Sequence, residues 1–160
     1  MLRIGQGYDS HRLVADKPLM IGGVKIDSPV GSEAHSDGDV LLHALIDALL
    51  GAAGLGDIGE HFPPSDDRYK DADSSVLLAH VLTLIATKNL GVVNVDSTVF
   101  LEKIKLKPYK ADIRQNIARL LRVDEDRVSV KAKTAEGMDA VGEGKAIEAS
   151  VTVLLAIQEN

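Results

Sequence analysis

The stretch from Asp39 to Ala53 constrains the fold of this chain more than any other. Leu41, Leu42, Leu45, Ala48, Leu49 and Ala52 recur there at the helical period, which predicts a helix. Gly31 to Gly38 ahead of it is loop chemistry and ends in a small polar run. Elements that can layer against such a helix are legible on both sides of it. Arg3 to Asp9 mixes small and apolar residues as short β structure does, and Leu19-Met20-Ile21 and Val24-Lys25-Ile26 flank Gly22-Gly23 as hairpin arms flank a turn. Asp73-Ser74-Ser75 caps a second predicted helix, which runs to about Asn89 and ends at Leu90-Gly91. Val93 to Leu101 is a β-branched strand, and Pro108 sits in the first turn of a third helix with Ile113, Ile117, Leu120 and Leu121 on one face. Arg127 to Lys133 and Ala146 to Ile157 read as two further strands. The order β-hairpin, α, α, β, α, β, β predicts an α+β fold with a sheet packed on helices, in which the consecutive strands near the C-terminus are antiparallel neighbours. Gly54 to Asp73, with Pro63-Pro64 and Ser65-Asp66-Asp67, is a connection long enough to expect a functional or mobile role.

A length of 160 residues fits one domain, and no linker, repeat or low-complexity tract divides it. Hydrophobic residues at 45% against 26% charged place the chain with ordinary globular proteins. Cysteine is absent. That excludes disulfides, thiol nucleophiles and every Cys-based zinc or iron-sulfur site, leaves His and carboxylates to build any such metal site, and favours the cytoplasm. Met1 to Gly7 lacks a basic segment followed by an apolar run, and the apolar stretches stop short of the roughly 18 residues of a membrane span, so neither a leader nor a membrane partner is expected. A plastid location would apply only after removal of a transit peptide. A formal charge of −6, no Trp, three Tyr and two Phe argue against nucleic acid as a partner. A small anionic ligand is compatible with cations concentrated locally.

Three residues of the right type for a metal stand out. Asp9 and His11, two apart on a predicted strand, share a face. Asp39, His43 and Asp47 follow i, i+4, i+8 spacing, which lines His43 with a carboxylate one turn above and one below, the pattern by which a carboxylate orients a ligating imidazole. Asp9, His11 and His43 together would give three ligands and a free fourth position, as catalytic zinc takes. The same spacing equally suits a partly buried, hydrogen-bonded His43 that binds nothing. His35-Ser36-Asp37-Gly38-Asp39 places an imidazole, a hydroxyl and backbone N–H groups before a helix N-terminus, where they suit an anion or simply cap the helix. Lys131 to Gly137 and Leu101 to Pro108 put lysines near backbone donors, as a phosphate cradle or a solvated strand end does, and neither matches a Walker or dinucleotide-binding glycine pattern.

Taken together, Gly5-x-Gly7-Tyr8-Asp9-x-His11, Ile21-Gly22-Gly23-Val24-x-Ile26, the run from Ala34 to Val40, His43 to Ala53 and Leu55-Gly56-Asp57-Ile58-Gly59 resemble the 2-C-methyl-D-erythritol 2,4-cyclodiphosphate synthases of the non-mevalonate isoprenoid pathway. The resemblance continues through Asp73-Ser74, Asn94-Val95-Asp96, Lys105, Pro108, Val130-Lys131-Ala132 and Thr134 to Glu136, over nearly all of the chain. It implies a homotrimeric α+β enzyme with active sites between subunits, which converts 4-diphosphocytidyl-2-C-methyl-D-erythritol 2-phosphate to the cyclic diphosphate and releases CMP. It also implies zinc on Asp9, His11 and His43, and magnesium or manganese on Glu136, bridging the α and β phosphates. His35 and Thr134 would support the transition state. His35, Ser36, Asp57 and Gly59 would line the erythritol phosphate pocket, and Asp9, His11, Ile58, Phe62 and Asp66 would also bind the substrate. Leu101, Lys105, Leu106 and Lys107, with Lys133, Thr134, Ala135 and Glu136, would hold cytidine and its diphosphate. Lys133-Thr134-Ala135 resembles one branch of the family, whereas the better-known bacterial members carry threonines there and an aromatic residue and an arginine near Ala140 and Glu143.

Such a reaction joins two anions, so its main tasks are charge neutralisation and in-line positioning, which metals and cations supply without a side-chain nucleophile. Two other readings use the same residues. A zinc hydrolase would activate water on Asp9, His11 and His43 and give a linear product. A trimeric nucleotide- or metabolite-binding module would carry a structural metal, which normally takes four protein ligands where this set offers three.

Overall fold

Alternation along the first strand decides which side of the sheet is covered in the computed structural model, which describes residues 1–63 and 65–158; Pro64 of the Pro63-Pro64 pair lies outside the described residues. β1 (Leu2–Ala15) turns Gly5, Gly7, Asp9 and His11 to one face and Ile4, Gln6, Tyr8 and Ser10 to the other. β2 (Leu19–Ile21) and β3 (Val24–Ile26) form the expected hairpin, with Gly22 at φ 61° and Gly23 at φ 76° supplying the left-handed pair that a two-residue turn requires. β4 (Val30–Glu33) follows, then α1 (Val40–Ala53). The long connection after α1 holds α2 (Ile58–His61) and a 3-10 turn at Asp67–Tyr69 before α3 (Ser74–Thr87). β5 (Leu90–Phe100), α4 (Lys110–Leu121), β6 (Val128–Lys133), α5 (Asp139–Gly142) and β7 (Ala146–Ile157) complete the order.

The main sheet runs β4-β1-β7-β5-β6. β1 is antiparallel to β4 and β7, β7 is antiparallel to β5, and β5 is parallel to β6. The strands near the C-terminus are therefore not neighbours as expected. β5 separates β6 from β7, because α4 carries the chain over from β5 to β6 and a parallel pair needs such a crossover. Leu90 and Gly91 open β5 instead of closing a helix; α3 ends at Thr87, and Asn89 at φ 56° makes the turn. β4, in a stretch whose composition predicts a loop from Gly31 onward, is four residues long and pairs with the far end of β1, from Arg12 to Ala15.

α1 is buried almost all round, beyond what one apolar face requires. Leu41, Leu42, Leu45, Ile46, Leu49 and Leu50 are fully enclosed, and only Asp47 and Gly51 reach the surface. Helix and sheet can approach because β1 offers no side chain where they meet. A Cβ on Gly5 would fall 1.9 Å from the Ala48 carbonyl oxygen, and one on Gly7 1.9 Å from that of Ala44. Ile147, Ala149, Val151, Val153 and Leu155 of β7 complete the covered face. Among the described residues no helix is long and apolar enough to cross a membrane.

Candidate metal centre

The close approach of α1 to β1 sets His43, one turn into the helix, over Asp9 and His11. Asp9 Oδ2, His11 Nε2 and His43 Nδ1 form a triangle with sides of 2.9, 3.1 and 3.2 Å. The three residues are the group among the described ones whose ligand atoms converge for a metal. A tetrahedral ion with bonds of about 2.0–2.2 Å separates its ligands by about 3.3–3.6 Å, so the triangle is a few tenths short of the size zinc would hold open. Two imidazole nitrogens and one carboxylate oxygen, partly buried, fit a zinc that keeps its fourth position for a non-protein ligand. The charges already suit a cation. Burial pushes the Asp9 carboxyl up, but hydrogen bonds and charge from His11 and His43 outweigh it and hold the group at about 2. Burial pushes His43 down, yet the Asp9 hydrogen bond and the carboxylates of Asp9, Asp39 and Asp37 leave it raised.

The two carboxylates spaced along α1 do not orient His43, contrary to expectation. Asp39 is wholly buried and accepts the N–H groups of Gly22 at 2.9 Å, Gly23 at 2.6 Å and Leu42 at 3.0 Å, capping α1 and pinning the β2–β3 turn to it. Asp47 accepts the N–H of Ile58 at 2.7 Å. The outer nitrogen of His43, Nε2, instead faces Ser74 Oγ at 2.8 Å and Ser36 Oγ at 3.1 Å. Ser74 comes from α3, so no local spacing could have announced it.

The loop from Ala34 to Gly38 lies beside this centre. His35 is exposed, its carbonyl accepts the N–H of Asp71 at 2.9 Å, and the N–H of Asp37 donates to Ala72 at 3.2 Å. Asp57 caps α2 through the N–H of Glu60 at 3.0 Å, with Ile58 half-buried and Gly59 exposed. Phe62 is buried between Tyr69 and His80, with ring centroids 5.2 and 5.6 Å away, and Asp66 caps the following 3-10 turn and pairs with Arg68.

A second set gathers at the end of the parallel pair. Leu101 and Leu106 are buried while Lys105, Lys107 and Lys133 are exposed, and the Leu101 N–H donates to the Lys133 carbonyl at 2.9 Å. Glu102 accepts the N–H groups of Ala135 at 2.8 Å and Gly137 at 3.1 Å, a contact no sequence pattern announces. That fixes the turn in which the Thr134 hydroxyl donates to Glu136 at 3.2 Å. Lys131 pairs with Asp96 at 2.7 Å, both side chains half-exposed. Asp9 lies opposite Ala149, Ala149 opposite Val99, and Val99 opposite Ala132. The two sets thus share one end of the sheet but stand three strand spacings apart, about 14 Å within one chain.

Other proteins carry this arrangement of strands and loops. The family model described as the YgbB family matches residues 2–156. A 2-C-methyl-D-erythritol 2,4-cyclodiphosphate synthase of Treponema denticola is 49% identical over 154 residues, covering 96% of each chain. One of Geobacillus kaustophilus is 52% identical over 155 residues, covering 97% of this chain and 98% of its own. The CDP complex of IspF from Plasmodium falciparum superposes with a TM-score of 0.87 at 39% identity, over 99% of this chain and 97% of that one. Since the match runs from the first strand of the sheet into the last and takes in every residue of the metal triangle, the chain belongs to the YgbB family.

Proposed function

We propose that this chain is a phosphorus-oxygen lyase of isoprenoid precursor biosynthesis, converting 4-diphosphocytidyl-2-C-methyl-D-erythritol 2-phosphate to 2-C-methyl-D-erythritol 2,4-cyclodiphosphate and CMP, in the cytoplasm. The observation that carries the reading is the converging, partly buried triangle of Asp9, His11 and His43 beside the His35 loop. The names of the relatives and the CDP held by the Plasmodium protein support it. An oxygen of the 2-phosphate forms a bond to the β-phosphorus; the bond from that phosphorus to the oxygen bridging it to the α-phosphorus breaks, and CMP leaves with that oxygen and its electron pair. The attacking oxygen is already anionic, so no base is needed. Zinc on Asp9, His11 and His43, with magnesium or manganese on Glu136, supplies Lewis-acid polarisation and neutralises the phosphates when bound. Lys105, Lys107 and Lys133, all exposed, bring three cations to the diphosphate and cytidine, and Glu102 holds the turn that presents Thr134 and Glu136. His35 and Ser36 meet the erythritol phosphate from the loop, together with Asp57, Ile58, Gly59, Phe62 and Asp66, and His35 and Thr134 stabilise the charge that builds on the transferred phosphorus.

One diphosphate cannot span the gap of about 14 Å between the two sets and still lie on both. A site shared between neighbouring copies removes the gap, and a homotrimer is the assembly we infer. The uncovered face of the sheet, with Ile4 73%, Leu2 66% and Tyr8 53% exposed, supports it. The test is incubation of the zinc- and magnesium-supplied protein with the diphosphocytidyl substrate, followed by phosphorus NMR. Equal amounts of CMP and cyclic diphosphate are expected. A linear hydrolysed product would favour the hydrolase reading, and absence of CMP would overturn the proposal.

A further inference from the structure

We propose that Ser74 and Asp37 are positioning residues for His43, acting as a relay in which Ser74 Oγ accepts the Nε2–H of His43 and donates its own proton to Asp37. The proposal rests on the metal reading above and adds the residues that make His43 a ligand through one particular nitrogen. Nδ1 is the nitrogen turned toward Asp9 and His11, at 3.1 and 3.2 Å. A neutral imidazole that gives its Nδ1 lone pair to a metal carries its proton on Nε2, and a buried N–H left without an acceptor is costly. Two hydroxyls lie within reach of that proton, Ser74 Oγ at 2.8 Å and Ser36 Oγ at 3.1 Å.

Ser74 is the better placed of the two. It is completely buried, and its hydroxyl is already directed at Asp37 Oδ1, which leaves its oxygen lone pairs to accept from His43. Its backbone N–H also donates to Asp37 Oδ2, at 2.9 Å, so one carboxylate holds the serine at both ends. Asp37 Oδ1 stands 4.0 Å from His43 Nε2, beyond hydrogen-bond reach, and the hydroxyl bridges that gap. Carboxylates at helical spacing would ordinarily take this part, but Asp39 and Asp47 are committed to backbone N–H groups. The relay does more than select a tautomer. Asp37 sits in the loop that carries His35 and Ser36, and that loop is tied to the start of α3 by the Asp71 N–H on His35 and the Asp37 N–H on Ala72. The same carboxylate therefore sets the metal ligand and the loop facing the substrate.

The test uses the whole chain, with zinc affinity read by chelator competition and cobalt(II) loading read by proton NMR, where the N–H protons of ligating imidazoles shift far outside the usual range. In the parent protein the His43 Nε2–H is expected to resist exchange with water. Ser74→Ala should weaken zinc about 10- to 100-fold and let that signal exchange away, whereas Ser36→Ala should leave both readouts as in the parent. Asp37→Asn keeps an acceptor for the hydroxyl but loses the charge, so a smaller loss of zinc affinity is expected; it carries the test if Ser74→Ala does not fold. A folded Ser74→Ala protein with unchanged zinc affinity and a protected Nε2–H would reduce Ser74 to helix packing and overturn the proposal. Loss of protection confined to Ser36→Ala would overturn it as well, by assigning the acceptor to Ser36. A parent protein that takes up neither zinc nor cobalt would overturn the metal reading itself, which is a different result from either.

Discussion

Asp39 and His43 are four residues apart on one helix, yet their side chains do opposite things with burial. Asp39 is enclosed and pushed up by that enclosure, with three N–H donors opposing the rise and the charge of Asp37 adding to it. For a carboxyl raised by folding, the cost of ionisation is absent below its ordinary value of 3.8 and complete above the raised one; this group alone makes stability fall as pH climbs through that window. Removing the side chain is nonetheless worse than keeping it charged, because three buried N–H groups lose their acceptor. Asp39→Ala is expected to cost about 3 kcal/mol or more in denaturant unfolding, from a lost helix cap together with unsatisfied donors. The Asp9 hydrogen bond and the neighbouring carboxylates raise His43, so in the metal-free protein its ring keeps a second proton to higher pH than an ordinary imidazole. Zinc requires the neutral ring. Calorimetry in buffers of different ionisation enthalpy should therefore show proton release on zinc uptake near pH 7, with affinity rising with pH and levelling off once His43 is neutral. The shared face of Asp9 and His11 was legible because a strand repeats every two residues. Ser74 and Asp37 were not, since their meeting with His43 depends on how α3 docks against a loop.

At the scale of elements, the glycines of β1 and α1 behave as opposites. Gly7→Ala drives a methyl group to 1.9 Å from the Ala44 carbonyl, against helix backbone that cannot rotate away, so α1 must shift and take His43 with it. A stability loss of about 1–3 kcal/mol and weaker zinc binding are expected together, in thermal melts and metal titrations of the same sample. Gly51, in the last turn of the same helix, has nothing within 4 Å of an added Cβ. Gly51→Ala should raise stability by about 0.5–1 kcal/mol and leave zinc affinity alone. The hairpin at Gly22-Gly23 and the bounds of β7 were readable because turn chemistry and β-branched runs are local signals. The burial of α1 on nearly every side was not, because periodicity reports one face and the rest depends on α3, β2 and the loops that close over it. The neighbours of β5 depend on α4 as a crossover, which no strand pattern encodes.

For the whole molecule, the metal triangle lies within one chain while the substrate site we propose does not. Ile4→Asp places a charge on the uncovered sheet face near the start of β1, at a residue 73% exposed in the single chain. Sedimentation is expected to show a monomer, CMP release should fall steeply, and zinc should stay bound because Asp9, His11 and His43 need no neighbour. A fully active monomer would contradict assembly through this face. The fold class and the layering of sheet on helices were legible from composition and periodicity, whereas the distance between the two halves of the site came only from strand order.

That strand order also bears on how the protein comes into being. β1 is held between β4 and β7, and its ligands face residues of β7, Asp9 opposite Ala149 and His11 opposite Ile147. Pairings that span so much of the chain close large loops and slow the search for the native state. Until β7 is synthesised, the strand that carries Asp9 and His11 has one edge unpaired. The triangle of Asp9, His11 and His43 thus rests on a sheet whose last-synthesised strand pairs with its first, and a cation is expected to be held at full affinity only once that strand is in place.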